Sequence, residues 1–176
     1  MITKNFLNAV SCAHSPNGGK AYLTRIDGNS DTVTCSGGAA LGEFLDGGLY
    51  FKKMTYNGEL SSTSRGAFIF LGSGTTKPTK NDVTLESHIP YSDTGLKVID
   101  STYSYKLSAD TFINFVVTVK NTTDSPIDIS EIALIFRPNG GNYINYPYNY
   151  MIARNVFDTI TMEPGEVRSF TMTISV

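Results

Sequence analysis

Period-two alternation of apolar and polar side chains dominates the C-terminal part of this chain and sets what it can fold into. In Phe112-Ile113-Asn114-Phe115-Val116-Val117-Thr118-Val119-Lys120-Asn121, and again over Val167–Val176, the swap is nearly regular. β-branched and aromatic residues are frequent there and no helix former dominates, so both runs are expected to be strands. Asn121–Ser125 is a turn cluster, and Pro126 opens the next strand, Ile127–Leu134, where no ladder donor is needed. Pro138-Asn139-Gly140-Gly141-Asn142 is a second turn of the same kind, before the strand-like Met151-Ile152-Ala153-Arg154. Met162-Glu163-Pro164-Gly165-Glu166 is a tight turn that aligns the final hairpin.

The rest of the chain extends the same pattern. Lys20–Ile26 and Thr32–Cys35 are strands joined by the hairpin turn Asp27-Gly28-Asn29-Ser30-Asp31. Leu49–Tyr56, the apolar run Ala67–Leu71 and the long Leu96–Leu107 are further strands, the last turning through Ser108-Ala109-Asp110 into the Phe112 strand. Gly37–Gly48 reads either as a short turn of helix or as a glycine-rich loop, and Asn81–Glu86 as one helical turn capped by Asn81 or Asp82. Residues 1–20 are the least patterned and are expected to be irregular. About ten strands with little helix predict an all-β chain, a single β-sandwich or jelly-roll-like domain spanning residues 1–176.

A chain of 176 residues can bury one core without staples. The net charge is −2, and the basic residues are scattered apart from Lys52-Lys53 and Lys77/Lys80. A phosphate-tracking surface needs clustered Lys and Arg, so nucleic acid is not an expected partner. Met1–Val10 is too short and too polar for a signal-peptide core, and no apolar run approaches membrane-spanning length, so membrane insertion is not expected. Folding is expected in a cytoplasm, or export inside a larger assembly. Cys12 and Cys35 do not form a disulfide framework; they read as two separate small residues or as one bridge. A zinc set of Cys12, His14, Cys35 and His88 lacks the paired-knuckle spacing of zinc ligands.

Few residues offer chemistry. Gly72-Ser73-Gly74-Thr75-Thr76-Lys77 follows an apolar strand as a phosphate loop does, but Lys77 precedes Pro78 and so cannot open a helix. Only His14 and His88 could serve a nucleophilic triad, and no Gly-x-Ser-x-Gly elbow is present. Asp100, Glu131, Asp158 and Glu163 are carboxylates without a motif. Asp27/Asn29/Asp31 loosely resembles a calcium loop but lacks the later glycine and glutamate, and reads as a plain hairpin turn. No cofactor is expected. Tyr143, Tyr146, Tyr148 and Tyr150, interleaved with Asn145, Pro147 and Asn149, form a candidate interaction surface for carbohydrate or protein; the competing reading packs them on a sheet edge or a neighbouring subunit.

Three phrases resemble small structural proteins of tailed bacteriophages. Leu71–Glu86 fits a G-x-G-x-x-x-P-x-x-x-D-x-x-L loop after an apolar strand. Val117–Thr123 continuing into Ile129-Ser130-Glu131-Ile132-Ala133-Leu134-Ile135-Phe136 is similar to an I-x-E-I-G-L-F strand, with Ala133 where glycine is common. Met151–Asn155 with Ile160–Glu166 and the closing strand is the third. The resemblance covers roughly residues 67–176 and implies a non-enzymatic virion building block: a tail, head-fibre or capsid-decoration protein docking on other virion proteins. A homo-oligomer is expected, because an aromatic-rich, charge-poor chain tends to bury apolar surface on neighbours. The alternative is a module using Tyr143–Tyr150 to bind a host-surface glycan or receptor. Glu131 and Arg154 are the charged residues inside otherwise apolar strand patterns. They are expected either to pair, fixing sheet register, or to end separately on a solvent edge or on loop amides.

Overall fold

The computed structural model describes residues 1–13, 19–35, 66–106, 112–137 and 149–175. One helix, α1 (Lys4–Ala13), precedes the hairpin β1 (Gly19–Thr24) and β2 (Ser30–Cys35). Six more strands follow: β3 (Gly66–Gly72), β4 (Leu96–Lys106), β5 (Phe112–Asn121), β6 (Ile127–Arg137), β7 (Tyr150–Met162) and β8 (Val167–Ser175). The described residues are therefore mainly β, in three antiparallel sheets ordered β1-β2, β3-β6-β7 and β4-β5-β8.

The two three-stranded sheets share one apolar core. β5 shows the alternation its sequence predicts: Phe115, Val117 and Val119 are buried, and the residues between them are half-exposed. β6 behaves differently. As the central strand of its sheet it is buried continuously from Ile129 to Phe136, so both of its faces are covered. Ile69 lies opposite Leu134, and Leu134 opposite Ala153, while Val117 lies opposite Phe170 in the other sheet. The chain passes from β5 across to β6, returns along β7 and crosses back to β8. The β6–β7 pair in one sheet is thus nested inside the β5–β8 pair in the other.

Eight strands are present among the described residues; the expected Leu49–Tyr56 strand, Gly37–Gly48 and the Pro138–Asn142 turn lie outside them. Two expectations need correction. Residues 1–20 are not irregular throughout, because residues 4–13 form α1. This helix docks through amides as well as apolar groups. Asn5 Nδ2 donates to Thr24 O at 2.7 Å, Asn5 Oδ1 accepts from Thr24 N at 2.8 Å, and Asn8 Nδ2 donates to Tyr22 O at 2.8 Å. Asn81–Glu86 is a loop, not a helical turn. The Asp82 carboxylate turns back to accept from Thr79 N at 3.0 Å and Thr79 Oγ1 at 2.7 Å, a local side-chain turn that competes with helix. No helix among the described residues is long and apolar enough to cross a membrane.

Candidate functional site

Glu131 and Arg154 stand on adjacent strands, β6 and β7, and the fold brings them together in its interior. Glu131 is 0% exposed and Arg154 3%. Arg154 Nε donates to Glu131 Oε2 at 2.9 Å, and Nη2 lies 2.8 Å from the same oxygen without the alignment of a second hydrogen bond. Oε1 is turned the other way, onto the loop between β3 and β4. It accepts from Gly74 N at 3.1 Å and Ser87 N at 2.7 Å, while Oε2 also accepts from Glu86 N at 3.2 Å. One buried carboxylate thus gathers three backbone amides and a guanidinium. The far side of that guanidinium meets Asp82, with Nη1 donating to Oδ2 at 2.8 Å, and Nη2 lies 3.6 Å from Glu86 Oε2.

The local sequence makes room for this arrangement. A Cβ on Gly72 would come within 2.4 Å of Glu131 Oε1 and 2.5 Å of Ser87 O. A Cβ on Gly74 would meet Glu86 Cβ at 2.5 Å and Glu131 Oε1 at 2.7 Å. The only left-handed glycines among the described residues are Gly28 and Gly165, so Gly72 and Gly74 are needed for space and not for φ. The loop closes back on β3, with Ser73 N donating to Ser87 O and Ile89 N to Leu71 O. Tyr91, buried beneath, donates its hydroxyl to Ile69 O at 3.0 Å.

Electrostatics follow from the contacts. Burial works to lower the Arg154 pKa, but hydrogen bonds and charge from Asp82 and Glu131 outweigh it and the net shift is upward. For Asp82, burial pushes the carboxyl up, yet Thr79 and Arg154 pull harder and hold it below its ordinary value. Glu86 is lowered mainly by the Thr76 amide and hydroxyl, which donate to its two oxygens at 2.8 Å each. Glu131 has no solvent-facing lone pair to offer a substrate, so the chemistry of this cluster is that of a lock. It ties a loop of residues 73–91 to the centre of a sheet.

The other candidate residues fall elsewhere. Of the two readings of the tyrosine segment, Tyr150 takes the packed one. It is 1% exposed, starts β7 opposite Phe136, and donates its hydroxyl to Asp31 Oδ2 at 2.6 Å. Its polar tip is satisfied inside, which lets the ring serve as core. Tyr143, Tyr146 and Tyr148 lie outside the described residues, as do His14 and the side chains of Cys12 and Cys35. Asp31 is also paired with Arg25, whose hydrogen bond lowers the carboxyl against the effect of burial, and Asp27 Oδ1 accepts from Asn29 N at 2.9 Å. A hairpin turn is present as expected, but it spans residues 25–29: Ser30 and Asp31 already pair with Thr24 and Leu23 in the ladder, and the first strand ends at Thr24.

His88 stacks on Phe70 with ring centroids 4.7 Å apart. Asp100 belongs to the sheet opposite the one holding Glu131, while Asp158 and Glu163 are exposed. Among the described residues no group of three or more His, Cys, Asp or Glu side chains is arranged to hold a metal. A cleft of about 420 Å³ opens between the sheets, lined by Ile2, Ile132, Ala153, Met172 and Ile174 among others.

One structural residue escaped the sequence reading. Asn121, placed in a turn cluster, is fully buried where both inter-sheet crossings meet. Its Nδ2 donates to Ser125 O and Met162 O, each at 2.9 Å, and its Oδ1 accepts from Thr123 N and Oγ1. Its backbone bonds Gly165 and Glu166 as well. Asparagine in a turn carries no sequence signal for such a role. Comparison with family models, with curated proteins and with solved structures finds no match to this chain.

Proposed function

We propose that this chain is a non-enzymatic structural component of a tailed-phage virion, a module that docks on other tail or head proteins. The observation that carries the reading is the convergence of the three phage-like phrases on one buried cluster. Gly72, Gly74, Asp82 and Glu86 come from the first phrase, Glu131 from the second and Arg154 from the third. Residues that resemble the virion pattern are therefore those that interlock in space, with a physical reason for each. Their joint work is to fix a surface loop on a sheet, which suits a building block that must present one shape at every copy. The nested β5–β8 and β6–β7 pairings favour, at the finer level, a sandwich rolled in the manner of a jelly roll. Assembly as a homo-oligomer belongs to the same proposal.

Mass spectrometry of purified particles is the test. The chain should be recovered from intact virions at a fixed copy number; its absence from them, with abundance in the infected-cell lysate, sinks the reading.

A further inference from the structure

The lock sorts the charges of the loop it holds. Asp82 and Glu86 are the acids between Ser73 and Tyr91; Asp82 is half-buried and held by Thr79 and Arg154, whereas Glu86 is exposed and accepts from the Thr76 amide and hydroxyl. Lys77 and Lys80 are exposed on the loop, and Lys4 joins them because its backbone N–H donates to Lys80 O at 2.9 Å. None of the three ammonium groups makes an ion pair or hydrogen bond with a described residue. Around them Thr75, Thr76, Thr79 and Asn81 are exposed and uncharged, the exposed Glu86 carboxylate is held by Thr76, and Leu7, one helical turn beyond Lys4, is 52% exposed.

We infer that the Lys4–Lys77–Lys80 surface is a docking site for an acidic peptide segment of a partner protein, an inference that rests on the docking role proposed above. Three features select that partner. Lysine is a point charge suited to single carboxylates, and the neighbouring hydroxyls and amide supply hydrogen bonds to the same chemistry. Residues 73–82, which carry Lys77 and Lys80, include no arginine or aromatic ring to clamp phosphates or stack bases, and Arg154, bonded to Asp82, is buried. Three lysines also fall short of the clusters of about four to eight that anionic membranes recruit. The platform is preorganised, since Thr76, Thr79 and Lys80 are each hydrogen-bonded within the fold, so docking orders little new chain.

Poly-L-glutamate is the probe, with oligo-dT and phosphatidylglycerol vesicles as competitors, titrated against the full chain with amide shifts read residue by residue. Poly-L-glutamate should bind and shift residues 4 and 75–81, weakening at least roughly tenfold between about 20 and about 200 mM salt. The Lys77→Glu/Lys80→Glu variant should lose that binding at least tenfold while unfolding at the same temperature, because both side chains are exposed and neither ammonium is paired with a described residue. Equal binding by the variant, shifts elsewhere on the surface, or preference for oligo-dT or vesicles would overturn the inference. Particles separate the two proposals. Wild-type chain present in virions with the variant incorporated equally well refutes this surface alone. Wild-type absent from virions while poly-L-glutamate binding stays lysine-dependent leaves the surface standing without the virion role.

Discussion

Removing the Glu131 carboxylate should unlock the loop at a cost set by what it leaves behind. Glu131→Ala strands Arg154 with Asp82 as its close remaining partner and leaves the amides of Gly74, Glu86 and Ser87 without their acceptor. Breaking a buried pair costs about 3–5 kcal/mol, and each orphaned buried donor adds about 1–3 kcal/mol. These do not simply sum, because the loop can open and let water reach the amides. Opening caps the loss near the cost of undocking residues 73–91, so a net of about 3–5 kcal/mol is expected. That is a large share of the about 5–15 kcal/mol available to a domain.

Glu131→Gln gives a sharper test. Each oxygen of Glu131 accepts from two donors: Oε1 from Gly74 and Ser87, Oε2 from Glu86 and Arg154. Whichever way the amide is turned, its NH₂ faces two N–H groups, so this isosteric change should still cost about 2–4 kcal/mol. Urea unfolding gives the free energies, and amide exchange at Gly74, Glu86 and Ser87 should accelerate ahead of β5 and β6. A double-mutant cycle with Arg154→Met isolates the pair, for which a coupling above about 1 kcal/mol is expected. A Glu131→Ala cost under about 0.5 kcal/mol, or additive single effects, refutes the reasoning.

Gly72→Ala should destabilise by about 2–3 kcal/mol in urea unfolding, since its Cβ would displace both a carboxylate and the Ser87 carbonyl; the cost should shrink in a Glu131→Ala background. Asn121→Ala should lower stability by about 2–3 kcal/mol by calorimetry, and Asn121→Asp by more, because a carboxylate would face the Ser125 and Met162 carbonyls. Partial desolvation of the exposed His88 ring, which stacks on Phe70, lowers its pKa from 6.5, opposed in part by Glu131, so the folded state binds its proton less readily than the unfolded chain. That contribution is present above pH 6.5 and is lost as pH falls from 6.5 through the lower folded value; His88→Gln should flatten this stretch of the stability–pH curve.

Strands were legible wherever one rule, burial on a single face, governed every position. Phe112–Asn121 has the bounds read from its alternation, because β5 is a central strand with one face on the core and one outward. α1 was not legible. Its apolar residues Phe6, Ala9, Val10 and Ala13 do recur at helical spacing, but the run is only ten residues long and part of its docking goes through Asn5 and Asn8 onto the backbone of β1. Tyr150 leaves two readings open for a related reason: a tyrosine in a polar, Asn-rich run fits an interaction surface or a packed edge until Asp31, far away in sequence, supplies the partner that lets it go inside.

The same reasoning explains why Gly72–Lys77 resembles a phosphate loop. A glycine-rich turn after an apolar strand exposes backbone N–H groups, and such groups want an anion. Here the anion is internal: Glu131 takes the amides of Gly74 and Ser87, and Glu86 that of Thr76. The glycines at 72 and 74 are what the carboxylate's bulk demands, and Glu131 is a charge inside an apolar strand because those amides and Arg154 await it. Each half looks anomalous when read alone. The pairing lives in contacts more than forty residues apart, such as Glu86 with Glu131 and Gly74 with Glu131, and short-range periodicity carries no information about them.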